Sequence, residues 1–115
     1  DLSTLRRRDR ILKNRIDIGV IASSVKNATK AQYRVEMRIV LEFGNESGAA
    51  EAKIRREEIL DIGRKLAMRY SRVEINTVEG KLRFKEELAA SLNRRFQTAQ
   101  IRQVYFMTFH VMRSS

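Results

Sequence analysis

IRQVYFMTFHVM, residues Ile101 to Met112, is apolar on even and odd positions alike from Val104 onward. Its β-branched and aromatic residues favour a strand over a helix. Under strict alternation, Val104, Phe106, Thr108, His110 and Met112 point one way, and Tyr105, Met107, Phe109 and Val111 the other. A strand apolar on both sides is covered on both, either wholly by its own domain or by the domain on one face and a partner on the other. The rest of the chain has to supply those covers.

Upstream, Tyr33, Val35, Met37, Ile39, Leu41 and Phe43 alternate with Arg34, Glu36, Arg38 and Glu42, and only Val40 interrupts the polar face. That period of two predicts a long, half-buried strand. Ile16 to Val25, with Ile18, Val20 and Ile21, reads as an earlier strand, and the short polar link KNAT, Lys26 to Thr29, makes the pair antiparallel. GNESG, Gly44 to Gly48, ends the second strand and offers Ser47 as a helix N-cap, with Glu51 in the first turn where the helix dipole favours an anion.

One helix is expected next, with Ala52, Ile59, Ile62, Leu66 and Tyr70 on its apolar side and Lys53, Arg56, Glu57, Asp61 and Lys65 opposite. Gly63 inside it costs about 1 kcal/mol relative to alanine and suggests a close approach to a neighbour. SRVEINT, residues 71–77, breaks the pattern. Asn76 with Glu79 three residues on has the form of a capping box, and Thr77 is an equally good cap. From Val78 to Phe96 the apolar stripe of a second helix is Leu82, Leu88, Ala89, Leu92 and Phe96, with Phe84 off that line.

The order strand, strand, helix, helix, strand predicts an α+β fold, an antiparallel sheet of about three strands packed against two main helices. At 115 residues the chain is expected to be one domain with a real core. The expected division is a basic arm or linker at 1–15, the α+β domain at 16–112 and a tail at 113–115. Two helices cover one sheet face, so the second apolar face of the last strand is expected to associate with something else. Val104, Tyr105, Phe106, Met107, Phe109 and Val111 are its candidate core or association residues.

The chemistry of common enzymes is missing. With no cysteine and one histidine, His110, the usual zinc ligand sets are unavailable, and no stretch has the spacing of an EF-hand loop. Glu57 with Glu58, and Glu86 with Glu87, are helix neighbours that point about 100° apart instead of converging on a substrate. The five glycines form neither a dinucleotide fingerprint nor a P-loop. No catalytic, metal or cofactor site is expected. No run reaches the roughly 18–20 apolar residues of a membrane span, and the start at Asp1 reads as an internal piece of a longer chain.

What is abundant is positive charge, 24 Lys and Arg against 14 Asp and Glu for a net charge of +10. Such a field attracts polyanions, acidic protein faces and anionic headgroups. Arg6, Arg7, Arg8, Arg10, Lys13 and Arg15 concentrate it in the first fifteen residues, either as a solvated arm or as a dedicated electrostatic contact.

VEGKLRFKEELAASLN, residues 78–93, followed by VYFMTFHVM, residues 104–112, resembles the C-terminal region of the FliL family of flagellar basal-body proteins. Glu79, Gly80, Lys81, Leu82, Glu86, Leu88, Asn93, Val104, Tyr105, Phe106 and Phe109 carry the likeness. Thr108 stands where the family more often has an acidic residue. The resemblance implies a stomatin-like fold and a single-pass protein of the bacterial inner membrane, its anchor before Asp1 and its folded part in the periplasm. It further implies association with the stator proteins of the flagellar motor and self-assembly into a homo-oligomeric ring. The alternative reading is a basic nucleic-acid-binding α+β module, with a pI near 10.7 and Tyr105, Phe106 and Phe109 as base-stacking residues.

Overall fold

The computed structural model describes residues 13–26, 32–97 and 99–114. Strand β2 (Tyr33–Phe43) is the spine of an antiparallel sheet, with β1 (Arg15–Ser24) on one side and β3 (Ile101–Arg113) on the other. Its alternation is realised as read: Val35, Met37, Ile39, Leu41 and Phe43 are fully buried while Arg34 and Arg38 are exposed. Four helices follow β2 in the chain, α1 (Glu46–Ile54), α2 (Arg56–Ala67), α3 (Arg72–Ile75) and α4 (Val78–Asn93). The fold is thus the expected α+β arrangement of a three-stranded antiparallel sheet with helices packed on its apolar face.

The flanking strands break the strict alternation that the sequence reading assumed. In β3, Phe106 faces Ile39 and Thr108 faces Arg38, so Met107 is an extra residue in a β-bulge. A bulge shifts the phase by one position. Val104, Phe106, Phe109 and Val111 therefore all lie opposite the buried Leu41, Ile39, Met37 and Val35, on one face. The expected division into Val104 and Phe106 on one side and Phe109 and Val111 on the other is corrected accordingly. Tyr105, Thr108, His110 and Met112 occupy the opposite face, and the two-sided apolarity of the strand is largely one-sided once the bulge is counted.

Strand β1 bulges at the same level. Asp17 pairs with Val40 and Gly19 with Ile39, leaving Ile18 as the extra residue. Gly19 has φ 103°, a left-handed conformation that a side chain would strain, and its N–H donates to Asp17 Oδ1 at 2.9 Å. The shift puts Ile18 and Ile21 together in the core.

The helix expected across residues 47–70 is divided at Arg55. The guanidinium there donates to Glu51 and Glu58 and to the carbonyl of Arg95 at 2.9 Å, a tertiary tie that local periodicity does not reveal. The N-cap of α1 is Asn45, whose Oδ1 accepts from Gly48 N at 3.1 Å, and Ser47 lies inside the first turn. The capping box belongs to α3: Ser71 accepts from Glu74 N and Glu74 accepts from Ser71 N, both at 3.1 Å. Asn76 is helical at the end of α3 and so lacks the extended backbone of an N-cap, while Thr77 caps α4 by accepting from Gly80 N at 2.9 Å.

Helix α4 is also rotated from the expected stripe. Gly80, Phe84, Leu88 and Leu92, four residues apart, face the core, and Leu82 is 52% exposed. Phe84 lies between Tyr70 and Phe106, with ring centroids 5.8 and 6.1 Å away. Phe96, beyond the helix end, stacks on Phe43 at 5.3 Å. Gly63 does mark a close approach, because a Cβ there would overlap Ile21 Cδ1.

Candidate functional site

Of the basic-arm candidates, Arg6, Arg7, Arg8 and Arg10 lie outside the described residues. Lys13 and Arg15 border a shallow recess of about 430 Å³ with Lys53 and Arg56, and Asp17 and Glu46 contribute carboxylates to the same rim. Arg15 is internally engaged. Its Nε donates to Glu42 Oε1 at 2.7 Å, and its Nη2 donates to the Tyr105 hydroxyl at 3.2 Å. The guanidinium lies 4.7 Å from the centre of the Tyr105 ring, and Tyr105 in turn donates to Glu42 at 3.2 Å. The hydrogen bond that Arg15 donates to Glu42 raises its pKa above an already high ordinary value. This cluster bridges β1, β2 and β3 across the sheet face turned away from the helices.

That open face is mostly compensated charge. Arg38 pairs with Asp17 at 2.8 Å and Arg34 with Glu36 at 3.2 Å. The Arg38 hydrogen bond, ahead of the Gly19 N–H, holds the Asp17 carboxyl below its ordinary pKa. Val20 and Met112 are its exposed apolar members, and His110 stands exposed opposite Glu36. Among the described residues no group of His, Asp and Glu is placed to hold a metal ion.

The other candidate surface runs along the outer edge of β3. This strand has β2 on one side and no strand on its other side among the described residues, so one row of its backbone N–H and C=O groups is unpaired within the sheet. Phe106 and Phe109 are half-buried beneath α4, 5.2 Å apart, and the ammonium groups of Lys85 and Lys81 rest on their rings at 4.9 and 4.5 Å. On α4 itself Val78 is 70% and Leu82 52% exposed, and Met107 at the β3 bulge is 61% exposed. Sequence reasoning placed Leu82 in the core and so missed it as a surface residue; the signal that could have found it is the four-residue spacing of Gly80, Phe84, Leu88 and Leu92. The base-stacking array is not assembled, because Tyr105 lies under Arg15 on the open face while Phe106 and Phe109 face the helices.

No helix among the described residues is long and apolar enough to cross a membrane. No curated protein matches the chain at a significant level. The family model described as flagellar basal body-associated protein FliL matches residues 3–111, a span that takes in β1, β2, all four helices and β3 as far as Val111. The chain belongs to the FliL family of flagellar basal body-associated proteins.

Proposed function

We propose that this domain acts by binding, without catalysis, as a homo-oligomeric ring that stabilises or activates the stator units of the flagellar motor and so supports rotation. The observation that carries the assembly reading is the unpaired edge of β3 with the exposed Met107 at its bulge, together with the exposed Val78 and Leu82 on α4. A sheet edge offers ready main-chain hydrogen bonds to another copy, and neighbouring apolar side chains add area that water leaves on contact. In this reading the chain is carried by the inner membrane through a single span before Asp1, and the domain works in the periplasm. Arg6, Arg7, Arg8, Arg10 and Lys13 then meet acidic stator surfaces or adjacent headgroups, while Arg15 holds the start of β1 in place.

Light scattering on the purified chain, with and without detergent-solubilised stator complex, tests this. Assembly that Leu82→Glu with Met107→Glu abolishes is the expected result. A chain that stays monomeric at several hundred micromolar with stators present, or a double variant that assembles as well as the parent, overturns the reading.

A further inference from the structure

Helices α2 and α4 run antiparallel over the sheet, which brings Arg95 to Glu58 at one end and the Arg69 region to Glu87 at the other. Between their outward flanks the short side chains Ala90 and Ser91 leave a trough of about 360 Å³. Its floor is apolar, formed by Ile62, Leu66 and Ala90. Its rim is predominantly cationic, four basic side chains against the one carboxylate of Glu87. Lys65 and Arg95 are paired with Asp61 and Glu58, at 3.0 and 3.4 Å, but Arg69 and Arg94 are exposed and make no ion pair among the described residues.

A second feature lies at the end of this trough. Tyr70 is 4% exposed, and its hydroxyl has no hydrogen-bond partner of ordinary geometry. Tyr70 lines a small recess that shares Arg69 and Glu87 with the trough. Burial first, and then the nearby Glu87 carboxylate, push the phenol up to about 12, so it stays a neutral donor. Cations after helix ends offset the helix dipoles, which accounts for the position of Arg94. It does not account for the apolar floor between the two helices.

We infer that the α2–α4 trough receives an acidic, amphipathic segment of another protein. An apolar side chain of that segment rests on Ile62, Leu66 and Ala90, and its carboxylates reach Arg69 and Arg94. The charges lining the trough itself, Lys65, Arg69, Arg94 and Arg95 against Glu87, favour an acidic segment as its occupant. The volume, near the lower end for ligand sites, suits one or two side chains. No exposed aromatic ring lines the trough, so it lacks the stacking platform that single-stranded nucleic acid uses. The inference does not depend on the stator reading, because any partner bearing such a segment satisfies it.

The test is fluorescence anisotropy of the whole chain with a labelled peptide of roughly 14 residues, about 20 Å as a helix, with Leu on one face and Glu on the other. Arg69→Glu with Arg94→Glu is expected to weaken binding about tenfold or more, through loss of two charge-assisted contacts. Lys53→Glu with Arg113→Glu carries the same change in net charge away from the trough and is expected to cost less than about threefold. Ala90→Trp, which fills the floor without altering charge, is expected to block the peptide while leaving the thermal midpoint in place. Equal losses in the two double variants, equal binding of a peptide with Ser in place of Leu, or no binding at low salt would each overturn the inference. So would displacement of the peptide by phosphatidylglycerol vesicles or oligothymidylate at lower concentration than an unlabelled copy of the peptide requires.

Discussion

Replacing Gly80 by alanine should destabilise the domain, although alanine is the better helix former. A Cβ at this position would overlap the carbonyl oxygen of Glu74 and lie 2.6 Å from the carbonyl carbon, against ordinary contacts of 3.4–4 Å. The obstacle is the backbone of α3, so no rotamer change relieves it, and the two helices have to separate by roughly 1 Å. Overpacking of this kind costs about 1–3 kcal/mol, or more where the backbone has to move. The separation also loosens the Thr77 hydroxyl, which accepts from Gly80 N and donates to Glu74 O, each at 2.9 Å, and losing a cap costs about 1 kcal/mol. Helix propensity returns about 1 kcal/mol. The net loss is roughly 1–3 kcal/mol, a large share of the about 5–15 kcal/mol that a domain holds. With an m value of about 1.5 kcal/mol/M, the urea midpoint falls by roughly 0.7–2 M. Circular dichroism against urea reads it directly, with exposed Ala90→Gly on the same helix as a propensity control. A Gly80→Ala chain as stable as the parent would refute the close approach of α3 and α4.

Gly63→Ala is the softer counterpart, because its Cβ meets the tip of the Ile21 side chain; adding Ile21→Val removes that Cδ1, so the double variant should be more stable than the sum of the two single losses predicts in a double-mutant cycle. Asn45→Ala should lower stability by about 1 kcal/mol and Ser47→Ala by at most a few tenths, since only Asn45 caps α1. The carboxyls of Asp17, Glu58, Asp61 and Glu74 all have folded-state pKa values below their ordinary ones, the first three through hydrogen bonds from Arg38, Arg55 and Lys65 and the last through the backbone of Ser71. Their contribution is therefore complete above the unfolded carboxyl values of about 4 and is lost as the pH falls through the lower folded values. Urea midpoints should drop below about pH 4, and Glu74→Gln should make that acid limb shallower; an unchanged limb counts against the Ser71–Glu74 box as a source of acid sensitivity.

How far the sequence could be read depended on whether a signal was local. Strand β2 keeps strict alternation over its whole length, so every one of its buried residues could be named in advance. Strands β1 and β3 each carry an extra residue opposite Ile39, and a period-two reading loses phase there. Asn45 and Ser47 are both good capping types two residues apart, and only backbone conformation chooses between them. The division at Arg55 is a local change of backbone conformation, φ −100° and ψ 22°, that the helical spacing of the apolar residues does not signal. Positive charge was visible from composition. Its placement was not, because Arg69 and Arg94 meet only when α2 and α4 lie side by side. The exposed Leu82 was legible as an apolar residue and misassigned as to face, since a stripe through Leu82 and one through Phe84 both fit helical spacing.

The sheet order also governs how the domain meets a mechanical load. Tension arriving through the chain before Arg15 enters at one end of β1, and a grip on the outer edge of β3 holds the far side of the sheet. Pulled along the strand direction, both ladders are loaded in shear, with many hydrogen bonds stretched together instead of opening one by one. The Arg15–Glu42–Tyr105 cluster sits where that pull enters and fastens the first strand to the last across the middle one. A domain built this way resists being drawn out by its front end.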